Sequence, residues 1–129
     1  MLNLISFLDF VSEIFAKPSN ITEDGQFILK PIPEPWGGPC TKSGRSICKQ
    51  SVMRFYTLDH NSYEKIIFVG DGSNDLCAAL NLSANDVVCP RQGFALEKLL
   101  QDNCVQAQVI PWKDGNDLLI LGEWSDLSF

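Results

Sequence analysis

Three observations predict an α/β fold built on a parallel sheet. From residue 66 onward, short apolar runs alternate with helical patterns in the order strand, helix, strand, helix, strand, helix. The first run, Ile66-Ile67-Phe68-Val69, is cut off by Gly70 and delivers Asp71 and Asp75 at its C-terminal end, where open α/β sheets build their sites. A chain of 129 residues, 45% hydrophobic, is long enough for one small domain with a core and is not the composition of a disordered segment.

Each element has a local reason. Residues 2–10 read as a helix without a cap before it, Ser12–Lys17 as a short strand and Pro18-Ser19-Asn20 as a loop. A turn at Glu23-Asp24-Gly25 leads into a strand over Gln26–Lys30. Pro31, Pro33, Pro35, Gly37, Gly38 and Pro39 make a breaker-rich loop around Trp36. From Ser46 to Leu58 the pattern is helical, with Ile47, Val52 and Phe55 near one face. Residues 66–69, three of the four β-branched, read as a buried strand. Then come a helix over Leu76–Leu82, a strand over Asp86–Cys89, a helix over Phe94–Asp102, a strand over Gln108–Ile110 and a last helix over Asn116–Leu121.

The net charge of −6 and the lack of any basic run disfavour a nucleic-acid partner. No apolar stretch approaches the roughly 20 residues that span a bilayer, so no membrane partner is expected. The N-terminus, Met1–Leu8, is apolar without a basic region and is interrupted by Asp9, which does not read as a signal peptide. Five cysteines in no dense framework then point to reduced thiols and a cytoplasmic location. Cys40 and Cys48, with seven residues between them, lack the paired spacing of a zinc site, and His60 sits in a polar Asp-His-Asn loop that reads as surface.

The candidate site is Gly70-Asp71-Gly72-Ser73-Asn74-Asp75. Paired Asp oxygens suit a hard cation such as Mg2+, which takes one or two carboxylates and leaves room for water and phosphate. The bland alternative is an Asp/Gly/Asn turn between a strand and a helix. A dinucleotide fingerprint fails for want of a third glycine, and an EF-hand loop fails because Leu76 and Leu82 stand where Gly and Glu are required.

Val69–Asp75 resembles the acidic fourth motif of haloacid-dehalogenase-superfamily phosphatases. Together with Cys48-Lys49, with Asp86-Val87-Val88-Cys89-Pro90-Arg91-Gln92-Gly93-Phe94 and with Val109-Ile110-Pro111-Trp112, the chain resembles the phosphoethanolamine/phosphocholine and pyridoxal-phosphate phosphatase branch. The resemblance runs from about residue 10 to about residue 121. It implies a partial Rossmann-like parallel sheet of the haloacid-dehalogenase type with flanking helices, a Mg2+ cofactor and a small phosphorylated metabolite as substrate. Hydrolysis would pass through an aspartyl-phosphate, which divides one hard step into two. By the same resemblance Asp71 ligates Mg2+, Asp75 ligates through water or holds the loop, and Asn74 binds phosphate or a metal-bound water. Lys49 pairs with the nucleophile and the transferring phosphoryl. Read without the family, Lys49 is a solvated helix lysine and Asn74 a turn residue or helix cap; Arg91, after Pro90, either lines the site entrance or is a surface arginine, the second being the default.

The resemblance also exposes a gap. The family's nucleophile motif, D-x-D-x-T/V, occurs nowhere in these 129 residues, and Leu8-Asp9-Phe10-Val11 does not supply it. The expectation is therefore one partial phosphatase domain over 1–129, with the N-terminal strand and cap missing. Residues 1–45 would follow the second motif, and residues 46–129 would form a C-terminal αβαβαβα part. Either the chain belongs to a metal-dependent phosphatase, or it is a non-catalytic binding or interaction module. A sheet edge left open would favour self-association.

Overall fold

The computed structural model describes residues 11, 13–30, 47–59 and 63–121. They belong to two units, Met1–Ile32 and Pro33–Phe129. The expected helix over 2–10, the proline-rich loop, Cys40 and His60 lie outside the described residues.

In the first unit, β1 (Ser19–Ile21) pairs antiparallel with β2 (Phe27–Leu29) in the register Ser19–Leu29, Asn20–Ile28, Ile21–Phe27. The expected strand at Ser12–Lys17 is not there: residues 13–17 are irregular, and part of the expected loop, Ser19 and Asn20, is strand. The turn explains the shift. The Thr22 N–H donates to the Gln26 carbonyl at 2.9 Å, Thr22 Oγ1 accepts the Gln26 N–H at 2.9 Å, and Gly25 adopts φ +82°. That closure forces the residues next to the turn to pair, and turn geometry sets hairpin register. The Lys30 N–H donates to the Pro18 carbonyl at 2.8 Å and ends the ladder.

The second unit begins with α1 (Lys49–Asp59) and holds the parallel sheet. Its strands are β3 (Ile67–Gly70), β4 (Val87–Pro90) and β5 (Gln108–Val109), adjacent in that order. Between them lie a 3-10 turn (Ser73–Asp75), α2 (Leu76–Leu80) and α3 (Ala95–Asp102), and α4 (Gly115–Leu121) follows β5. Leu76–Leu82 was expected as helix, but α2 stops at Leu80. The Asn81 N–H donates to the Ala78 carbonyl at 3.1 Å and its side chain to the Cys77 carbonyl at 2.8 Å, closing the last turn.

The burial of the strands follows their position. β4 is paired on both sides and wholly buried. β3 has one partner among the described residues, and Val69 is exposed. β3 is thus half-buried where a buried strand was expected. Leu76, Ala79, Leu82, Val88, Leu96 and Ala107 form the core, and Met53 of α1 packs against it with Phe68 and Leu99.

A buried carboxylate pins the strand starts, at the end of the sheet opposite the acidic loop. Asp86 Oδ1 accepts the Ile66 N–H at 2.9 Å, and Oδ2 accepts the Ser83 N–H at 2.7 Å and its hydroxyl at 2.9 Å. Removing it strands these donors. Asp86→Ala is expected to lower stability by about 2 kcal/mol, the cost of unsatisfied buried donors, read as a lower urea midpoint. Thiol reactivity gives a second check. Cys48, Cys77 and Cys89 are buried and Cys104 is exposed, none of them in a disulfide, and burial pushes the Cys89 thiol up from its ordinary pKa. Among these four, brief alkylation followed by mass spectrometry should label Cys104 first and Cys89 slowly.

Candidate functional site

The site is organised around one buried side chain. Asp75 is 0% exposed, at the end of the 3-10 turn that follows β3. Its Oδ2 accepts the Asp71 N–H at 2.9 Å and the Gly72 N–H at 3.0 Å. Its Oδ1 accepts a short hydrogen bond from Lys49 Nζ, and the two residues form an ion pair. A carboxylate this deep is tolerable because donors, one of them charged, meet both oxygens.

Each donor reaches Asp75 for a local reason. Lys49 is the first residue of α1, directly after buried Cys48, whose carbonyl accepts the Val52 N–H. Its side chain is 40% exposed, so the ammonium meets Asp75 on one side and solvent on the other. Gly70 and Gly72 let the loop fold over the carboxylate. A Cβ at Gly70 would lie 2.7 Å from Asp75 Oδ2, and a Cβ at Gly72 would lie 2.6 Å from Asn74 Oδ1. Gly70 is therefore a steric requirement, while Gly72 is opposed only by the end of the Asn74 side chain.

Asp71 sits one residue past the end of β3, and its side chain is exposed. Its carbonyl accepts the Leu96 N–H at 3.0 Å, which ties the acidic loop to the start of α3. Asn74, half-buried, lies in the 3-10 turn between Asp71 and Asp75. The four candidate residues thus reach one end of the sheet. Lys49 and Asp75 touch directly, Asp71 meets Asp75 through its backbone N–H, and Asn74 lies against Gly72. No group of three or more His, Cys, Asp or Glu side chains able to hold a metal occurs among the described residues.

The sequence reading missed what surrounds Arg91. Far from a solvated surface arginine, it is half-buried and stacks its guanidinium against two rings, 4.3 Å from the Phe94 centroid and 5.2 Å from that of Trp112. The Trp112 indole donates to the Cys89 carbonyl at 2.9 Å, and Arg91 and Trp112 form a parallel bridge. The usable signal was the position of Arg91 directly beyond β4 and of Trp112 three residues beyond the neighbouring β5.

Residues 1–121 match the family described as "Putative Phosphatase", and the chain belongs to that family. It is 31% identical over 127 residues to "Probable phosphatase phospho1" of Danio rerio, covering 89% of this chain and 44% of the relative. It is 27% identical to the phosphoethanolamine/phosphocholine phosphatase of Gallus gallus, over 91% of this chain and 46% of that protein. Against the pyridoxal phosphate phosphatase PHOSPHO2 of Bos taurus the identity is 26%, over 92% and 52% respectively. The chain therefore spans about half the length of the curated relatives it matches. No solved structure matches it.

The geometry orders the costs of substitution. Asp75→Ala removes a buried acceptor from two backbone donors and an ammonium, and is expected to cost about 3 kcal/mol. Gly70→Ala drives a methyl into the same carboxylate and should cost about 1–3 kcal/mol. Gly72→Ala meets only the far end of the Asn74 side chain, which can rotate, and should cost less. Urea unfolding of the three variants checks the order Asp75→Ala, Gly70→Ala, Gly72→Ala.

Proposed function

We propose that the chain carries the lysine- and acid-bearing part of a Mg2+-dependent phosphomonoester hydrolase acting on small phosphorylated metabolites, through an aspartyl-phosphate whose nucleophile lies outside these 129 residues. The substrate class is that of the phosphoethanolamine, phosphocholine or pyridoxal phosphate named for the relatives. The observation that carries this reading is the Lys49–Asp75 ion pair set against the Gly70–Gly72 loop at the C-terminal end of β3. Residues 1–129 are read as one partial phosphatase domain.

The donor set fits a Mg2+ ion in part. Asp71 offers an exposed carboxylate at the strand end, a hard-oxygen ligand. The Asp75 oxygens already accept from Lys49 and two backbone N–H groups. Of its two family roles, holding the loop suits this arrangement better than ligation through water. When bound, the cation supplies charge neutralisation at the transferring phosphate. Lys49, fixed on one side by Asp75, turns its remaining N–H donors toward the nucleophile and the phosphoryl oxygens. Asn74 donates to the phosphate.

Two measurements test this. The 129-residue chain alone should release no phosphate from phosphoethanolamine or pyridoxal phosphate above background. Mg2+-dependent release that Asp71→Asn abolishes would refute the division of labour. In a longer protein carrying the D-x-D-x-T/V strand, Asp71→Ala should abolish turnover. Lys49→Ala should lower it about 10²–10³-fold, as loss of one preorganised charge donor does. Unchanged turnover in both would favour a non-catalytic module.

The open edge of β3, with Val69 exposed on it, is also read as a surface for self-association. Sedimentation should then show a concentration-dependent dimer, and a monomer at all concentrations would refute it.

A further inference from the structure

We infer that Arg91, Phe94 and Trp112 form a leaving-group subsite beside the phosphate position, one that selects an anionic oxygen and rejects an ammonium. The inference rests on the phosphatase reading and narrows its substrate class. Placement comes from the sheet. The last β3–β4 pair is Gly70–Pro90, so Asp71 and Arg91 are the next positions in the same register, and Arg91 in turn pairs with Trp112. The Arg91 N–H donates to the Gly70 carbonyl at 2.9 Å and the Trp112 N–H to the Pro90 carbonyl at 3.0 Å. Asp71, Arg91 and Trp112 therefore occupy neighbouring backbone positions across the C-terminal edge. Phe94 precedes α3, which the Leu96–Asp71 hydrogen bond holds against the acidic loop.

The chemistry of the row decides its ligand. Two rings attract the face of the Arg91 guanidinium but accept none of its in-plane N–H groups. Arg91 Nε is buried and has no hydrogen-bond partner among the described residues. Arg91 as a whole is half-buried, so its other in-plane N–H groups are open to an oxyanion, which pairs charge with charge in that plane. Two aromatic rings alone would suit a choline group. Here a cation of the protein's own already occupies them, so a quaternary or primary ammonium meets repulsion. A second phosphoryl group, or the phenolate of a pyridoxal ring, meets attraction. Both share the anionic oxygen that the subsite recognises.

The test is a set of NMR titrations of the 129-residue chain with Mg2+ present. The ligands are inorganic pyrophosphate, pyridoxal phosphate and phosphoethanolamine, and the probes are the Arg91 Nε–H and Trp112 Nε1–H signals. Pyrophosphate or pyridoxal phosphate should bind at least tenfold more tightly than phosphoethanolamine and shift both signals. Whichever of the two binds tighter identifies the source of the oxyanion. Arg91→Gln should erase the preference, and Arg91→Lys, which keeps the charge without the planar fork, should retain part of it. Asp71→Asn should weaken all three ligands alike. A preference that survives in Arg91→Gln, or equal affinity in the unaltered chain, overturns the subsite and leaves the phosphatase reading standing. Binding of none of the three also overturns the subsite, while the phosphatase reading is decided separately by turnover in the longer protein.

Discussion

The Asp75 carboxylate is the constraint on which the rest of the site depends. It ties α1 to the loop after β3: Lys49 reaches it from the helix, and the Asp71 and Gly72 N–H groups reach it from the loop. Neither contact is strong in isolation, since a half-exposed lysine pairs weakly in water. A fully buried carboxylate changes that balance, because any donor withdrawn leaves charge in a low-dielectric surrounding. The loop geometry that presents Asp71 to solvent is therefore enforced from beneath.

The sheet sets the second constraint. β4 is wholly buried between two neighbours, and its backbone carries the register across to both. At one end Asp86 fastens the starts of β3 and β4 through three hydrogen bonds. At the other, Gly70 and Pro90 pair as the strands run out, and the side chains with chemical potential begin one residue later. A rigid central strand with its polar residues confined to the two ends separates stability from function. Val88 and Leu96 belong to the core, while Asp71, Arg91 and Trp112 lie at the edge.

Much of this was legible in the sequence, for reasons that differ by element. The alternation after residue 66 was read correctly because apolar runs such as Val87-Val88-Cys89 and breakers such as Gly93 act locally. Ser12–Lys17 misled because a short amphipathic run carries no register, whereas the Thr22–Gln26 turn does. β3 looked buried because composition cannot reveal how many neighbours a strand has. The proximity of Lys49 and Asp75, 26 residues apart, came from family resemblance and not from any local pattern. That the Asp75 oxygens face Lys49 and the loop's own backbone could not be read from spacing, because hydrogen-bond direction is a tertiary fact. Arg91 was misjudged for the same reason: its environment is made by Phe94 and Trp112, which converge only when β4 and β5 pair.

The family assignment and the half-length coverage fit one physical picture. Phosphoryl transfer needs a nucleophile, a counter-charge and a surface that orients the leaving group. On the proposed reading this chain supplies the last two: Lys49, with a cation held by Asp71, for the charge, and Arg91 with Trp112 for the orientation. The first requires an acid absent from this sequence, brought to the same edge. β3 and β5 each have one strand partner among the described residues, and β3 is the one that leads into Asp71. A strand adding there would place its terminal side chains in the register of Asp71, on the side away from Arg91. Counter-charge and leaving-group contacts would then flank the transferred phosphoryl group, an arrangement in which positioning, more than acid strength, carries the catalysis.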